Sequence, residues 1–231
     1  MHYPLTLLLA TALGASALAL GKRNHNDSCQ SYTLLNTRGT DEAPGESKAF
    51  SSMNANITSL LPGGKIYNTV YPATFTDYMA SKAAGTRDIL RYIRATLDAN
   101  PKECFVLQGY SQGASATVSA LAELKGEERE AVKGVFLLGD PQHTAGLACN
   151  VDNLNGMSTR NANGISAAEG RVPDDWIGRT LDVCMHGDSI CDPGNAAFPL
   201  INAEHLSYLN DAPTQSLGSW FALYHLGSSV Y

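Results

Sequence analysis

No part of this chain concentrates lysine or arginine. The 16 basic residues are scattered and outnumbered by 22 acidic ones, for a formal net charge of -6, so the electrostatic footprint that nucleic-acid binding requires is missing. CxxC pairs and HxxxH spacings are absent too, and with them the usual ligand patterns of a zinc site, so no metal is expected. Internal repeats and low-complexity linkers are lacking, which leaves nothing to argue for a second domain. Long apolar runs are wanting except at the start. Leu5 to Leu20 is rich in Leu and Ala, but it is short for a membrane span of about 20 residues. It also contains Ala15-Ser16-Ala17, an AxA cleavage pattern. Residues 1–23 are therefore expected to be a signal peptide plus a short pro-segment ending at Lys22-Arg23, with no transmembrane anchor. Residues 24–231 are expected to form one secreted, extracellular domain.

Cysteine is sparse, and its count of five is odd. In an oxidising compartment this permits two bridges and leaves one thiol over. Cys184 and Cys191 enclose six residues and close easily. Cys29 precedes the first expected strand and Cys104 opens a later one, so if those strands are parallel neighbours their starts lie together and Cys149 stays free. Asn26-Asp27-Ser28 and Asn56-Ile57-Thr58 are sequons for surface glycosylation at Asn26 and Asn56.

What is present is an alternation of short apolar runs with helical patterns, the signature of a parallel sheet covered by helices. The spacing predicts strands at 32–35, 66–70, 104–107, 135–138 and 180–184. Ile89, Leu90, Ile93 and Leu97 recur at helical spacing, as do Leu217, Trp220, Phe221 and Tyr224 in a terminal amphipathic helix. His143 to Pro173, rich in Asn, Gly and Ser, reads as a long surface excursion.

One motif carries chemistry. Gly109-Tyr110-Ser111-Gln112-Gly113 is a GxSxG between the apolar run Cys104–Leu107 and a helical pattern of Ala114, Val118, Leu121 and Leu124. That is the strand, turn, helix order of a nucleophile elbow. Serine is a poor nucleophile at its free pKa, so Ser111 needs a base held in one tautomer by an acid. Elbow hydrolases place these partners downstream in the order acid, then histidine. Asp188, inside the Cys184–Cys191 loop, is the expected acid and His205 the expected base. Asp192, Asp182 and Asp140 are rivals for the acid, while His143 and His186 read as surface or loop residues. The N–H of Gln112, after the nucleophile, and Thr40, in the turn after the first strand, are the expected oxyanion donors.

Thr37-Arg38-Gly39-Thr40, the GYSQGA block, the frame Cys184-xxx-Asp188-xx-Cys191 and His205-Leu206 together resemble the four signature blocks of the fungal cutinase family. The match spans essentially the whole mature chain. It is most similar to the cutinase-like enzymes of yeasts and basidiomycetes, through Asn68-Thr69-Val70-Tyr71 and the run from Gly146 to Asp152. The resemblance implies an α/β-hydrolase-type three-layer αβα sandwich without a full lid, whose central, mostly parallel sheet would hold the five strands above. It implies a Ser111-Asp188-His205 triad, an oxyanion hole from Thr40 and Gln112, no cofactor, and carboxylic esters as substrates: cutin, short- to medium-chain acyl esters and, by extension, aliphatic polyesters. A carbohydrate acetyl esterase and a catalytically silent surface-interacting protein are the competing readings. Asp140 stands where the family leads one to expect Asn. Phe198, Leu200, Ile201 and Leu206 around the base offer an apolar rim, with Tyr71 and Phe75 facing them. A monomer is expected.

Overall fold

The computed structural model describes residue 29, residues 31–197 and residues 201–228. The expected signal and pro-segment, Asn26, Phe198 and Leu200 lie outside them. Six strands form one sheet: β1 (Tyr32–Thr37), β2 (Gly64–Asn68), β3 (Cys104–Tyr110), β4 (Val132–Leu138), β5 (Asn150–Val151) and β6 (Thr180–Val183), in the order β2-β1-β3-β4-β6-β5. Every pairing is parallel. The helices are α1 (Ser51–Leu60), α2 (Tyr78–Ala99), α3 (Gln112–Leu121), α4 (Gly126–Ala131), α5 (Ala203–Leu206) and α6 (Ala212–His225).

Strand residues alternate between two cores, as the two-residue period of a strand requires. Leu35, Phe105, Leu107, Val135 and Leu137 point to α2 and α3, where Ile89, Leu90 and Ile93 meet them. Leu34, Val106, Phe136 and Leu138 point the other way, to α1 and α6. Each fully buried large aliphatic stabilises the fold by about 2 kcal/mol. Side-chain caps fix where helices begin: Asp77 accepts from Ala80 N for α2 and Asp211 from Thr214 N for α6. On α6, Phe221 and Leu223 are buried, whereas Trp220 and Tyr224 stack on each other at the surface.

Two expectations are corrected. The sheet has six strands rather than five, because the two-residue β5 pairs with β6. It falls within the segment expected to be a surface excursion, of which His143, Leu147, Cys149, Asn150, Thr159 and Val172 are buried. Several of its polar side chains bond to nearby backbone. Asp152 accepts from the amides of Leu154, Gly156 and Ser158, and Asn150 donates to the carbonyls of Thr144 and Arg160. A segment that satisfies its own backbone can be buried without a hydrophobic period.

The Cys29–Cys104 and Cys184–Cys191 bridges are both formed, and Cys149 is free and buried. The first joins the starts of adjacent strands, since Tyr32 and Cys104 are register partners. The crevice that matters is at the opposite, carboxyl end of β1 and β3. There β1 leads toward α1 on one face and β3 into α3 on the other, the topological switch point at which open α/β sheets bind ligands.

Candidate active site

Ser111 sits in that crevice between β3 and α3 with φ 54° and ψ -118°. A non-glycine residue in this region is strained, and such strain clusters at functional sites. The flanking glycines make it possible. A Cβ on Gly109 would come within 2.7 Å of Gly113 O and Ala114 Cα, and one on Gly113 within 2.1 Å of Thr37 O. The motif is thus a packing requirement: α3 starts in direct contact with the end of β1, which leaves the serine at the turn.

His205 and Asp188 converge on it from two later segments. His205 Nε2 lies 3.0 Å from Ser111 Oγ, while Nδ1 lies 2.9 and 3.0 Å from the two oxygens of Asp188. All three residues are buried, Ser111 retaining 8 % exposure. Burial pushes the Asp188 carboxyl up. The bond and charge of His205, the Tyr208 hydroxyl and the Ile190 amide outweigh it and hold the group below the usual carboxylate range. Asn202 caps α5 and ties both segments together, its Oδ1 accepting from the amides of Ser189 and His205 and its Nδ2 donating to Gly187 O. Gly139, at φ 55°, clears the space for this assembly, since a Cβ there would stand 2.8 Å from His205 Nδ1.

The Gln112 N–H begins α3 and has no preceding turn to donate to. Its side chain anchors that end by donating to Thr74 O and accepting from Ser81 Oγ. Thr40 lies half-buried in the turn after β1. Arg38 braces that turn from below, donating to Glu42 O and to the carbonyls of Thr69, Tyr71 and Pro72. The Gly113 backbone packs against Thr37 and Arg38, so the turn carrying Thr40 and the helix start carrying Gln112 flank one space.

A family model described as Cutinase matches residues 28–223. The chain belongs to the cutinase family. It is a carboxylic ester hydrolase. It is 51 % identical to a cutinase-like protein from Cryptococcus sp., whose structure superposes with a TM-score of 0.84 over 88 % of this chain and 98 % of that one. Carboxylesterase Culp1 of Mycobacterium tuberculosis is 28 % identical over 94 % of this chain and 92 % of its own, and a cutinase of Hypocrea jecorina is 28 % identical over 90 % and 73 %. An acetylxylan esterase shares the fold at 22 % identity, with a TM-score of 0.71 over 87 % of this chain and all of its own.

On this cutinase-family scaffold the rim residues divide. Phe75, Ile201 and Leu206 are 74, 54 and 55 % exposed. Tyr71 is not a rim residue: it is buried, its hydroxyl donates to Arg38 O, and its ring lies beneath the Arg38 guanidinium, 4.9 Å from the centroid. Asp192 braces the loop that carries Asp188, its Oδ2 accepting from Gly187 N. Tyr208, Tyr110, Asn202 and Arg38 escape a reading of the sequence, although two local signals exist. Tyr208 stands three residues after His205, and Asn202 precedes Ala203-Glu204-His205 as a helix cap.

His143 corrects a further expectation. It is fully buried and not at the surface, because Nδ1 lies 2.8 Å from Asp182 Oδ2 and Nε2 3.1 Å from Thr159 O. A carbonyl only accepts, so Nε2 carries a proton, and a carboxylate draws a second to Nδ1. Burial disfavours the imidazolium, but Asp182 and the Thr159 carbonyl outweigh it and raise the pKa to about 9. Nearby Asp140 is fully buried; burial and the charge of Asp182 push its carboxyl up to about 8.

Proposed function

We propose that the chain hydrolyses carboxylic esters through an acyl-enzyme on Ser111. The observation that carries this reading is the 3.0 Å approach of His205 Nε2 to Ser111 Oγ, with Nδ1 of the same ring on Asp188. His205 takes the Ser111 proton as Oγ attacks the ester carbonyl, then returns it to the departing alcohol. Water repeats the sequence on the acyl-enzyme and releases the acid. Asp188 keeps the ring in the tautomer whose Nε2 is free to accept and stabilises the imidazolium that forms. The Gln112 N–H and Thr40 receive the oxyanion, each donor supplying roughly 3 kcal/mol.

Apolar acyl chains, including those of cutin and aliphatic polyesters, are the proposed substrates. Phe75, Ile201 and Leu206 support this, because a wetted apolar rim beside the nucleophile favours a greasy or insoluble acyl group. The proposal includes secretion as a monomer, removal of the first 23 residues and glycosylation at the exposed Asn56. Two disulfides support passage through an oxidising compartment, and among the described residues no helix is long and apolar enough to cross a membrane.

A chain-length profile on p-nitrophenyl esters, run on wild type and Ser111→Ala, tests the proposal. Butyryl or longer esters turn over faster than acetyl, and the variant loses about a million-fold in kcat. Preference for acetyl over every longer chain sinks the substrate assignment in favour of a carbohydrate acetyl esterase. Undiminished hydrolysis by Ser111→Ala sinks the nucleophile.

A further inference from the structure

Tyr208 is 1 % exposed, and its hydroxyl donates to Asp188 Oδ2 at 2.6 Å. The direction of that bond is dictated. Met185 N–H, which can only donate, lies 2.9 Å from the same hydroxyl and takes its oxygen as acceptor. The single O–H proton therefore points at the carboxylate. Asp188 is thereby divided: Oδ1 receives the Ile190 amide at 2.7 Å, Oδ2 receives Tyr208, and both oxygens face His205 Nδ1. The Tyr208 ring also stands edge-on to His205, at 6.3 Å and 88°, and to Tyr110, at 6.1 Å and 68°. Tyr110 in turn lies along the His205 ring and donates to the His205 carbonyl at 2.8 Å.

We propose that Tyr208 is a positioning residue of the hydrolytic site: its phenol fixes the orientation of Asp188 and withdraws charge from it, setting how tightly the carboxylate grips His205. The proposal rests on the Ser111-His205-Asp188 reading. A carboxylate that keeps all its charge holds the imidazolium more strongly, so the free base appears only at higher pH. A carboxylate sharing its charge with a phenol releases the ring sooner. Charge-assisted bonds of this kind are about twice as strong as neutral ones, which makes the withdrawal large enough to read kinetically. The titratable groups facing this pair are few. Tyr110 and Tyr208 are the phenols, Glu42 acts on Tyr110, and Asp192 is bonded to Gly187 N and to the His186 ring.

Tyr208→Phe removes the donor and keeps the ring. Its kcat falls by about tenfold with KM unchanged, and the acidic limb of kcat/KM moves up by about half a pH unit. Replacing Tyr208 with 3-fluorotyrosine and then 3,5-difluorotyrosine keeps both hydrogen bonds while making the phenol progressively more acidic. The limb then steps down in that order. A role confined to packing predicts a lower melting temperature for Tyr208→Phe with the limb unmoved and no trend across the fluorotyrosines; that result overturns the proposal. Should Tyr208→Phe fail to fold, the fluorotyrosine series decides alone. Ser111→Ala, assayed in parallel, separates the two levels. Loss of activity there with a flat fluorotyrosine series refutes only the role of Tyr208, whereas retained activity refutes the triad beneath it.

Discussion

Among the described residues the fold holds two buried histidine–carboxylate pairs that are nearly the same at one end and opposite at the other. His205 meets Asp188 at 2.9 Å and His143 meets Asp182 at 2.8 Å, each through Nδ1 and each out of solvent. The difference is what Nε2 faces. In the first pair it faces a serine hydroxyl, which can donate, so the neutral ring can accept a proton. In the second it faces the Thr159 carbonyl, which cannot, so the ring holds both protons and is a buried cation. The acids differ too. Asp188 receives Tyr208 and Ile190 besides its histidine, whereas Asp182 Oδ1 has no partner among the described residues. A histidine beside a carboxylate is therefore not yet a base; the group on its far nitrogen decides.

The comparison is broken most sharply at the histidines. His205→Ala lowers kcat by about a million-fold, since the members of such a triad act as a unit. His143→Gln leaves kcat per active site close to wild type and instead lowers stability. Deleting one member of a buried ion pair costs about 3–5 kcal/mol, a fall in melting temperature of roughly 6–20 °C for a chain of this length. Phosphonate active-site titration with thermal melts on both variants checks the contrast, and a His143 variant that melts normally but is inactive would reverse it.

Among the acids, Asp188→Asn leaves the fold intact and cuts kcat by about ten-thousand-fold, because the amide selects the wrong tautomer. Asp182→Asn removes the charge that keeps His143 protonated, so the buried ring gives up its Nδ1 proton, and the lost ion pair appears in the melt rather than in kcat. Gly139→Ala is milder. Its Cβ would stand 2.8 Å from His205 Nδ1 at a backbone φ of 55°, and a displacement of under an ångström at the base lowers kcat by about a hundred-fold. Unchanged turnover in that variant would mean that the His205 loop is free to shift without loss.

The site was more legible than its surroundings, for a physical reason. A nucleophile elbow needs particular residue types in one chain order, Ser, acid, His, which a sequence displays directly, and the structure brings Ser111, Asp188 and His205 within hydrogen-bond reach of one another. Short apolar runs located five strands, of which β1, β3, β4 and β6 are buried along most of their length, while the edge strand β2 has no fully buried residue. The sixth, Asn150–Val151, is two residues long and carries no period. The stretch from His143 to Pro173 was misread because composition reports polarity and not where polar groups find their partners. His143 reads as a loop histidine until Asp182 and Thr159, 39 and 16 residues away, close around it. Tyr71 reads as a rim aromatic until the Arg38 guanidinium covers it.

The smallest expected effect concerns the protons that the second pair and its neighbour hold. His143, raised from an ordinary value near 6.5 to about 9, contributes stability that is complete below about pH 6.5 and is lost as pH rises through 9. Asp140, raised from about 3.8 to about 8, acts in the same direction: the folded chain keeps a proton that the unfolded chain releases, so stability declines from about pH 4 to 8. Both make the fold weaken toward alkaline pH. Asp140→Asn separates them. The amide keeps an oxygen to accept from Gln142 N and has no charge to bury. Melts at pH 5 and pH 8.5 should show a small gain over wild type at the first and a larger one, about 5 °C, at the second, with the remaining alkaline decline due to His143. Equal gains at both values would mean that Asn improves packing and that the Asp140 proton contributes nothing.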